Sequence, residues 1–387
     1  MSSQTPETQK NEFEGEESLD PNLNILVGES NETYPSTVNF SRELYSIFEL
    51  KRRYNDRKTL QLDPDYQRED SWDDKQRCEL IESILMGMPL PLFYFFADEN
   101  GIWQVVDGRQ RLTALFRFLD NEYKLNKELR ILSNIRGKYF KNLEPREQGI
   151  LEDYALNINL IKPPTPDRVK FDIFDRVNRG GTRLNNQEMR NAIYQGKSTE
   201  LLKKLATSDA FIKVTEKSIT SMRMKDRYII LRFIGFYLLN TLRDKLCDNK
   251  NKPIEYRSDI DDFLGKIMQF INQQNDDFVN DITDVFNKAM DNSLQILGAG
   301  CFRVSKYVPT KNEKNLPLNM ALFESLAYLC SFDEVNINPG KCKGLINELF
   351  IPDGTFLPTV RMPVDSSSKV VERFKQMDNI IKVLCND

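Results

Sequence analysis

The chain of 387 residues contains no histidine. That absence removes Ser-His-Asp and Cys-His nucleophilic chemistry, His-ligated zinc and every nuclease mechanism with a histidine general base. Any catalysis must rest on carboxylates, arginine, lysine and a hard metal ion. Cysteine is sparse. Cys78, Cys247, Cys301, Cys330, Cys342 and Cys385 are scattered, and no pair has the Cys-x-x-Cys spacing of a zinc or dithiol site. They read as reduced thiols of a cytoplasmic protein. Long apolar runs are also missing: Tyr228 to Leu239 is interrupted by Arg232 and is too short to span a bilayer. The N-terminus is polar and acidic, unlike a signal peptide, so no membrane association is expected. The formal net charge is only -4, which excludes a global positive field; nucleic acid would have to be met by local basic patches.

What is present is an ordinary globular composition, 40% hydrophobic and 29% charged, long enough for two or three domains. Residues 1–36, rich in Glu, Ser, Asn and Thr, read as a disordered acidic tail. From Val38 the spacing of Leu44, Ile47, Phe48 and Leu50 predicts a helix. It runs into the basic cluster Lys51 to Lys58, which reads better as a solvated helix end than as a phosphate contact. Asp73 or Ser71 is placed to cap a helix carrying Leu80, Ile81, Ile84, Leu85 and Met88. Leu92–Phe96 and Ile102–Val106 read as a hairpin turning at Asn100-Gly101. Ile158 and Leu160 mark a further strand, ended by Pro163-Pro164. A helix from about Asp167 stops at a Gly-Gly loop, and Asn185 with Glu188 has capping-box spacing for the next one. Beyond about residue 200 the chain reads as almost entirely helical: Asp226–Leu246, Ser258–Gln273, Asp276–Leu297, Leu318–Phe332 and Ser367–Leu384.

The densest chemistry lies in Val106-Asp107-Gly108-Arg109-Gln110-Arg111-Leu112-Thr113. A strand that turns through Asp-Gly into a helix leaves unpaired N–H groups where the helix dipole favours an anion. Arginines there can fork onto phosphate oxygens, and a carboxylate can hold a metal ion or a water. The bland alternative is a tight turn with exposed arginines, and the clustering of phosphate- and metal-binding side chains within one helical turn favours function. Asn178 to Leu184, with Gly180, Gly181 and Thr182, is either a backbone cradle for phosphate or a plain helix connector. Tyr66-Gln67-Arg68 with Trp72 offers a guanidinium and an aromatic face, although a core role for Trp72 is equally in keeping. Gly196-Lys197-Ser198 is no phosphate-binding Walker loop, because Asn191 stands where the first glycine is required.

Tyr66-Gln67-Arg68…Trp72, then Leu80 to Leu85 with Pro89-Leu90-Pro91, then Val106 to Thr113, together resemble the GmrSD-type restriction endonuclease N-terminal family. Phe174 to Leu184 is similar to that family's second signature, and weaker similarity continues through Asp226 to Phe233 and Asn319 to Phe323. The resemblance implies an α+β fold. A ParB/sulfiredoxin-like domain with a small mixed sheet would span residues 37–200, and a helical domain residues 201–387. It also implies nucleotide binding and hydrolysis in restriction of modified phage DNA. In this scheme Asp107, Gln110 and Arg111 are the catalytic residues, and Asp107 also positions Mg²⁺ or the attacking water. Arg68, Gly108, Arg109, Thr113, Asn178, Gly180, Gly181 and Thr182 bind the nucleotide. Arg109 replaces the first glutamine of the family's usual Asp-Gly-Gln-Gln-Arg. No cysteine lies between Cys78 and Cys247, which excludes the sulfiredoxin reaction, and a sequence without histidine holds no HNH nuclease domain.

Two functions follow as expectations. One is a Mg²⁺-dependent nucleoside triphosphatase that senses or regulates within an anti-phage system. The other is a non-catalytic DNA-binding adaptor for a separate nuclease. DNA, a nuclease protein and a second copy of the chain are the candidate partners. A nuclease built on Asp107 and glutamates alone ranks last, because no paired-carboxylate motif is present.

Overall fold

The structure, a computed structural model, describes residues 39–62, 72–98, 100–126, 129, 131–165, 169–170, 173, 176–177, 185–219, 221, 224–249, 251–308, 317–351, 354–361 and 363–386, with the backbone of 13–14. Residues 32–184 with 191–193 form one compact unit, and residues 185–190 with 194–387 belong to the other.

The first unit is built on a mixed five-stranded sheet. After the two-residue β1 (Phe13–Glu14), its elements in chain order begin with β2 (Phe40–Ser46), α1 (Ile47–Asn55), β3 (Leu60–Gln61) and α2 (Asp74–Leu85). They continue with β4 (Phe93–Ala97), β5 (Trp103–Asp107), α3 (Arg109–Leu119), α4 (Pro145–Asp153) and β6 (Ala155–Ile161). The spatial order is β2-β6-β4-β5-β3, with β4 antiparallel to β5 and parallel to β6, and β2 antiparallel to β6. The hairpin forms where Asn100-Gly101 announces it. Gly101 takes φ 77°, and the Asp98 carboxylate accepts from the N–H groups of Asn100 and Ile102 at 2.9 and 2.8 Å. Asp73, rather than Ser71, caps α2, in a reciprocal box with Gln76.

One face of the sheet carries Phe93, Phe95, Trp103, Val105, Ile158 and Leu160. They join Ile81 and Ile84 of α2 and Leu112, Leu115 and Phe118 of α3 in a single core, against which Trp72 packs. Trp72 therefore follows the core reading. The basic cluster also follows its bland one: Arg52, Arg53 and Arg57 turn to Glu49, and Lys51 pairs with Asp120.

Two expectations are corrected here. The helix expected from Val38 is strand β2 up to Ser46, and only then α1, capped by the Ser46 hydroxyl. Helix α4, opened by Pro145 at its first turn with Glu144 and Glu147 boxed, has no counterpart in the sequence reading.

The second unit is helical: α5 (Asn186–Ile193, of which residues 186–190 belong here), α6 (Lys197–Ala206), α7 (Asp209–Val214), α8 (Lys225–Thr241), α9 (Ile260–Gln273), α10 (Asp276–Asn292), α11 (Met320–Cys330), α12 (Pro339–Glu348) and α13 (Ser367–Cys385). A short strand, β7 (Leu318–Asn319), pairs in parallel with β1. Helix α11 is buried along its whole length, the mark of a helix at the centre of a core. Helix α8 stops at Thr241, five residues before the expected end, and α10 passes into a π-helical turn at Ser293–Leu297. Asn185 and Glu188 form the expected capping box of α5. At Gly196-Lys197-Ser198 the lysine pairs with Asp276, in keeping with the rejected Walker reading. Among the described residues no helix is long and apolar enough to cross a membrane.

Candidate functional site at the β5–α3 turn

The turn begins with a slip in the β4–β5 hairpin. Partners run Ala97–Trp103, Phe96–Gln104 and Phe95–Val105, then shift by one residue, so that Tyr94 faces Asp107. A shift of this kind re-aims the side chains beyond it. Without it, Asp107 would keep the parity of Trp103 and Val105 and point at the core. Gly108 follows with φ 98°, a backbone region open to glycine, and a Cβ built there would collide with the Phe93 ring. The chain can therefore reverse into α3 directly above Phe93 only with glycine at this position.

Helix α3 has no side-chain cap at its N-terminus. Its first ladder bond runs from the Leu112 N–H to the Gly108 carbonyl at 2.9 Å, so the N–H groups of the preceding turn have no partner within the helix. Arg109 is half-buried beside them, Gln110 is exposed, and Thr113 is half-buried one turn on.

Arg111 turns inward. It donates to the carbonyls of Pro91 and of Leu92 (3.1 Å), donates to Asp107 Oδ2 at 2.8 Å, and lies over the Phe93 ring at 4.2 Å. Only 9% of it is exposed, whereas the Asp107 side chain is 37% exposed. Burial pushes the guanidinium below its ordinary pKa, and the Asp107 carboxylate pulls it back up. The result is a partly exposed carboxylate with one oxygen clamped by Arg111, beside a helix start without a side-chain cap.

Asp107, Gly108, Arg109, Gln110, Arg111 and Thr113 thus share one turn of chain. Arg68, Asn178, Gly180, Gly181 and Thr182 lie outside the described residues. The sequence reading missed four participants: the Pro91 and Leu92 carbonyls, the Phe93 ring and Tyr94. The four-residue separation of Asp107 and Arg111 was the available signal for the clamp, since i and i+4 side chains meet on a helix.

A five-stranded mixed sheet in which a strand ends in Asp-Gly and turns into a helix with a buried arginine defines an α+β domain. Residues 45–195 match the family model of the GmrSD restriction endonuclease, N-terminal domain, and this part of the chain is similar to that domain. The match relates the chain to restriction systems. No curated protein matches the chain.

Proposed function

We propose that the chain binds and hydrolyses a nucleoside triphosphate at the β5–α3 turn, as the sensing or regulatory part of a restriction-type defence against phage DNA. The observation that carries this reading is the clamped Asp107 carboxylate beside an uncapped helix N-terminus. Phosphoryl transfer asks a protein mainly for positioning and charge neutralisation, which a site without histidine can supply.

The start of α3, with Arg109 and Thr113, holds the phosphates. Gln110 orients a water or a phosphate oxygen. Arg111 acts at one remove: its guanidinium is spent on Asp107 and two carbonyls, so it positions the carboxylate instead of gripping phosphate. Gly108 lets the ligand approach the backbone. Arg68, Asn178, Gly180, Gly181 and Thr182 complete the nucleotide contacts.

Among the described residues no group of three His, Cys, Asp or Glu side chains could hold a metal ion alone. One carboxylate together with substrate phosphates suits Mg²⁺, which keeps most of its water. Asp107, its side chain 37% exposed, is the residue that would hold it, and the ion would supply charge neutralisation at the phosphates. DNA and a separate nuclease are the partners that fit a restriction role. The adaptor reading is weaker, because the cations of Lys51 to Arg57 already face Glu49 and Asp120.

The test is turnover of each of the four NTPs by the purified chain with Mg²⁺, with and without DNA. Asp107→Ala is expected to lower the rate at least a hundred-fold, on the order of a lost general-base or positioning group. Equal rates for wild type and variant would exclude hydrolysis at this turn.

A further inference from the structure

The register of the sheet places three more polar side chains in line with Asp107. Asp107 faces Tyr94 on β4, Tyr94 faces Asn159 on β6, and Asn159 faces Arg42 on β2. Directly paired residues project from the same face of a sheet. That face is opposite the one carrying Phe93, Phe95, Ile158 and Leu160, so the row lies on the side of the sheet turned away from that core. Three strand spacings of about 4.8 Å make it roughly 14 Å long.

Asp107 is held by Arg111, but among the described residues neither the Arg42 guanidinium nor the Tyr94 hydroxyl makes a hydrogen bond or ion pair. Asn159 Oδ1 is buried with no donor near it, and an orphaned buried acceptor of this kind costs stability unless something fills it. Two residues to either side of Arg42 on the same face stand Phe40 and Leu44, 52% and 66% exposed. An aromatic ring, a guanidinium, an amide acceptor and flanking apolar side chains are the groups that receive a nucleobase. The ring and the guanidinium offer stacking, and the amide offers an edge contact.

We infer that the base and sugar of the bound nucleotide lie across this row. Its phosphates stay at the start of α3, and an N–H on the base edge donates to Asn159 Oδ1 near Arg42. The inference rests on the nucleotide reading of the β5–α3 turn and assigns base preference to Asn159 and Arg42, outside the turn itself.

The experiment measures competition binding of ATP, CTP, GTP, UTP and inorganic tripolyphosphate to the full chain, for wild type, Asn159→Leu and Arg42→Ala. Wild type is expected to rank the four nucleotides. Asn159→Leu should weaken the preferred one about ten-fold and flatten the ranking, the size of one hydrogen bond to a buried group. Arg42→Ala should do the same to a smaller degree. Tripolyphosphate should bind all three proteins alike. A wild type indifferent to the base, variants that keep the wild-type ranking, or equal loss of tripolyphosphate in both variants would overturn the assignment. Wild type that binds no nucleotide at all would overturn the nucleotide reading, and this inference with it.

Discussion

Gly108 is the residue on which the turn depends, for two separable reasons. Its φ of 98° is strained for any residue with a Cβ, and the space a Cβ would take is filled by Phe93. Gly108→Ala is expected to cost about 3 kcal/mol of stability, read as a lower urea midpoint with an unchanged slope. Pairing it with Phe93→Leu should recover the steric part and leave the backbone part. Full stability of the single variant would show that the turn relaxes without loss. The same residues show how far the site could be read in advance. Asp-Gly between a strand and a helix is visible in sequence because glycine there has a backbone reason. The inward course of Arg111 is not, because its acceptors are the carbonyls of Pro91 and Leu92, which only the hairpin brings to it. Neither is the facing of Tyr94 and Asp107, since a one-residue slip in pairing leaves no compositional trace.

At the scale of elements, β2 explains the one misread segment. Leu44, Ile47, Phe48 and Leu50 have helical spacing, yet Leu44 and Phe48 are exposed while Ile47 and Leu50 are buried. The inward side of β2 is occupied by Ser41, Glu43 and Tyr45, a polar set that no hydrophobic-period argument would place toward a core. These groups are satisfied by one another: Glu43 accepts from Ser41 at 2.7 Å, from Tyr45 at 2.9 Å and from Lys162 at 3.0 Å. The hydrogen bonds from Ser41 and Lys162 hold the Glu43 carboxyl below its ordinary value of 4.5. A depressed folded-state pKa means that the unfolded chain binds the proton first as pH falls. The contribution is therefore full above about 4.5 and is lost as pH drops through the folded value. Wild type should accordingly be more stable than Glu43→Gln at pH 6.5, with the gap in urea midpoint closing toward pH 3. A gap independent of pH would mean that the carboxylate charge adds nothing to the edge strand. The hairpin and α3, by contrast, were legible because Asn100-Gly101 and the apolar runs on either side agree at every level.

At the scale of the whole chain, the helical residues beyond 200 were readable as helices, but their role as platform, clamp or core was not. The centre of the unit they form is a buried ion cluster. Glu324 on α11, fully buried, accepts from Arg232 Nε of α8 at 2.8 Å and from Arg373 of α13. Arg232 also forks onto Asp365 at 2.6 and 3.2 Å, and Arg373 donates to the carbonyls of Thr359 and Val364 at 2.7 and 2.8 Å. The partners are 49 to 133 residues apart in sequence, which no local pattern reveals. Two cations face two carboxylates here, so the cluster is neutral, and of these four only the Asp365 side chain is partly exposed, at 16%. Such a network is weak evidence for net stability, because burial of each charge offsets much of the attraction. Removal of one member is another matter, since the rest are left unpaired in a dry interior. Glu324→Gln keeps the volume and removes the charge, leaving Arg232 with Asp365 and Arg373 without a carboxylate partner. The expected loss is about 3–5 kcal/mol, measured by urea unfolding, with hydrogen-exchange protection falling together in α8, α11 and α13. Loss confined to α11 would mean that the three helices are held by their apolar faces alone, and that the ion cluster selects their register without binding them together.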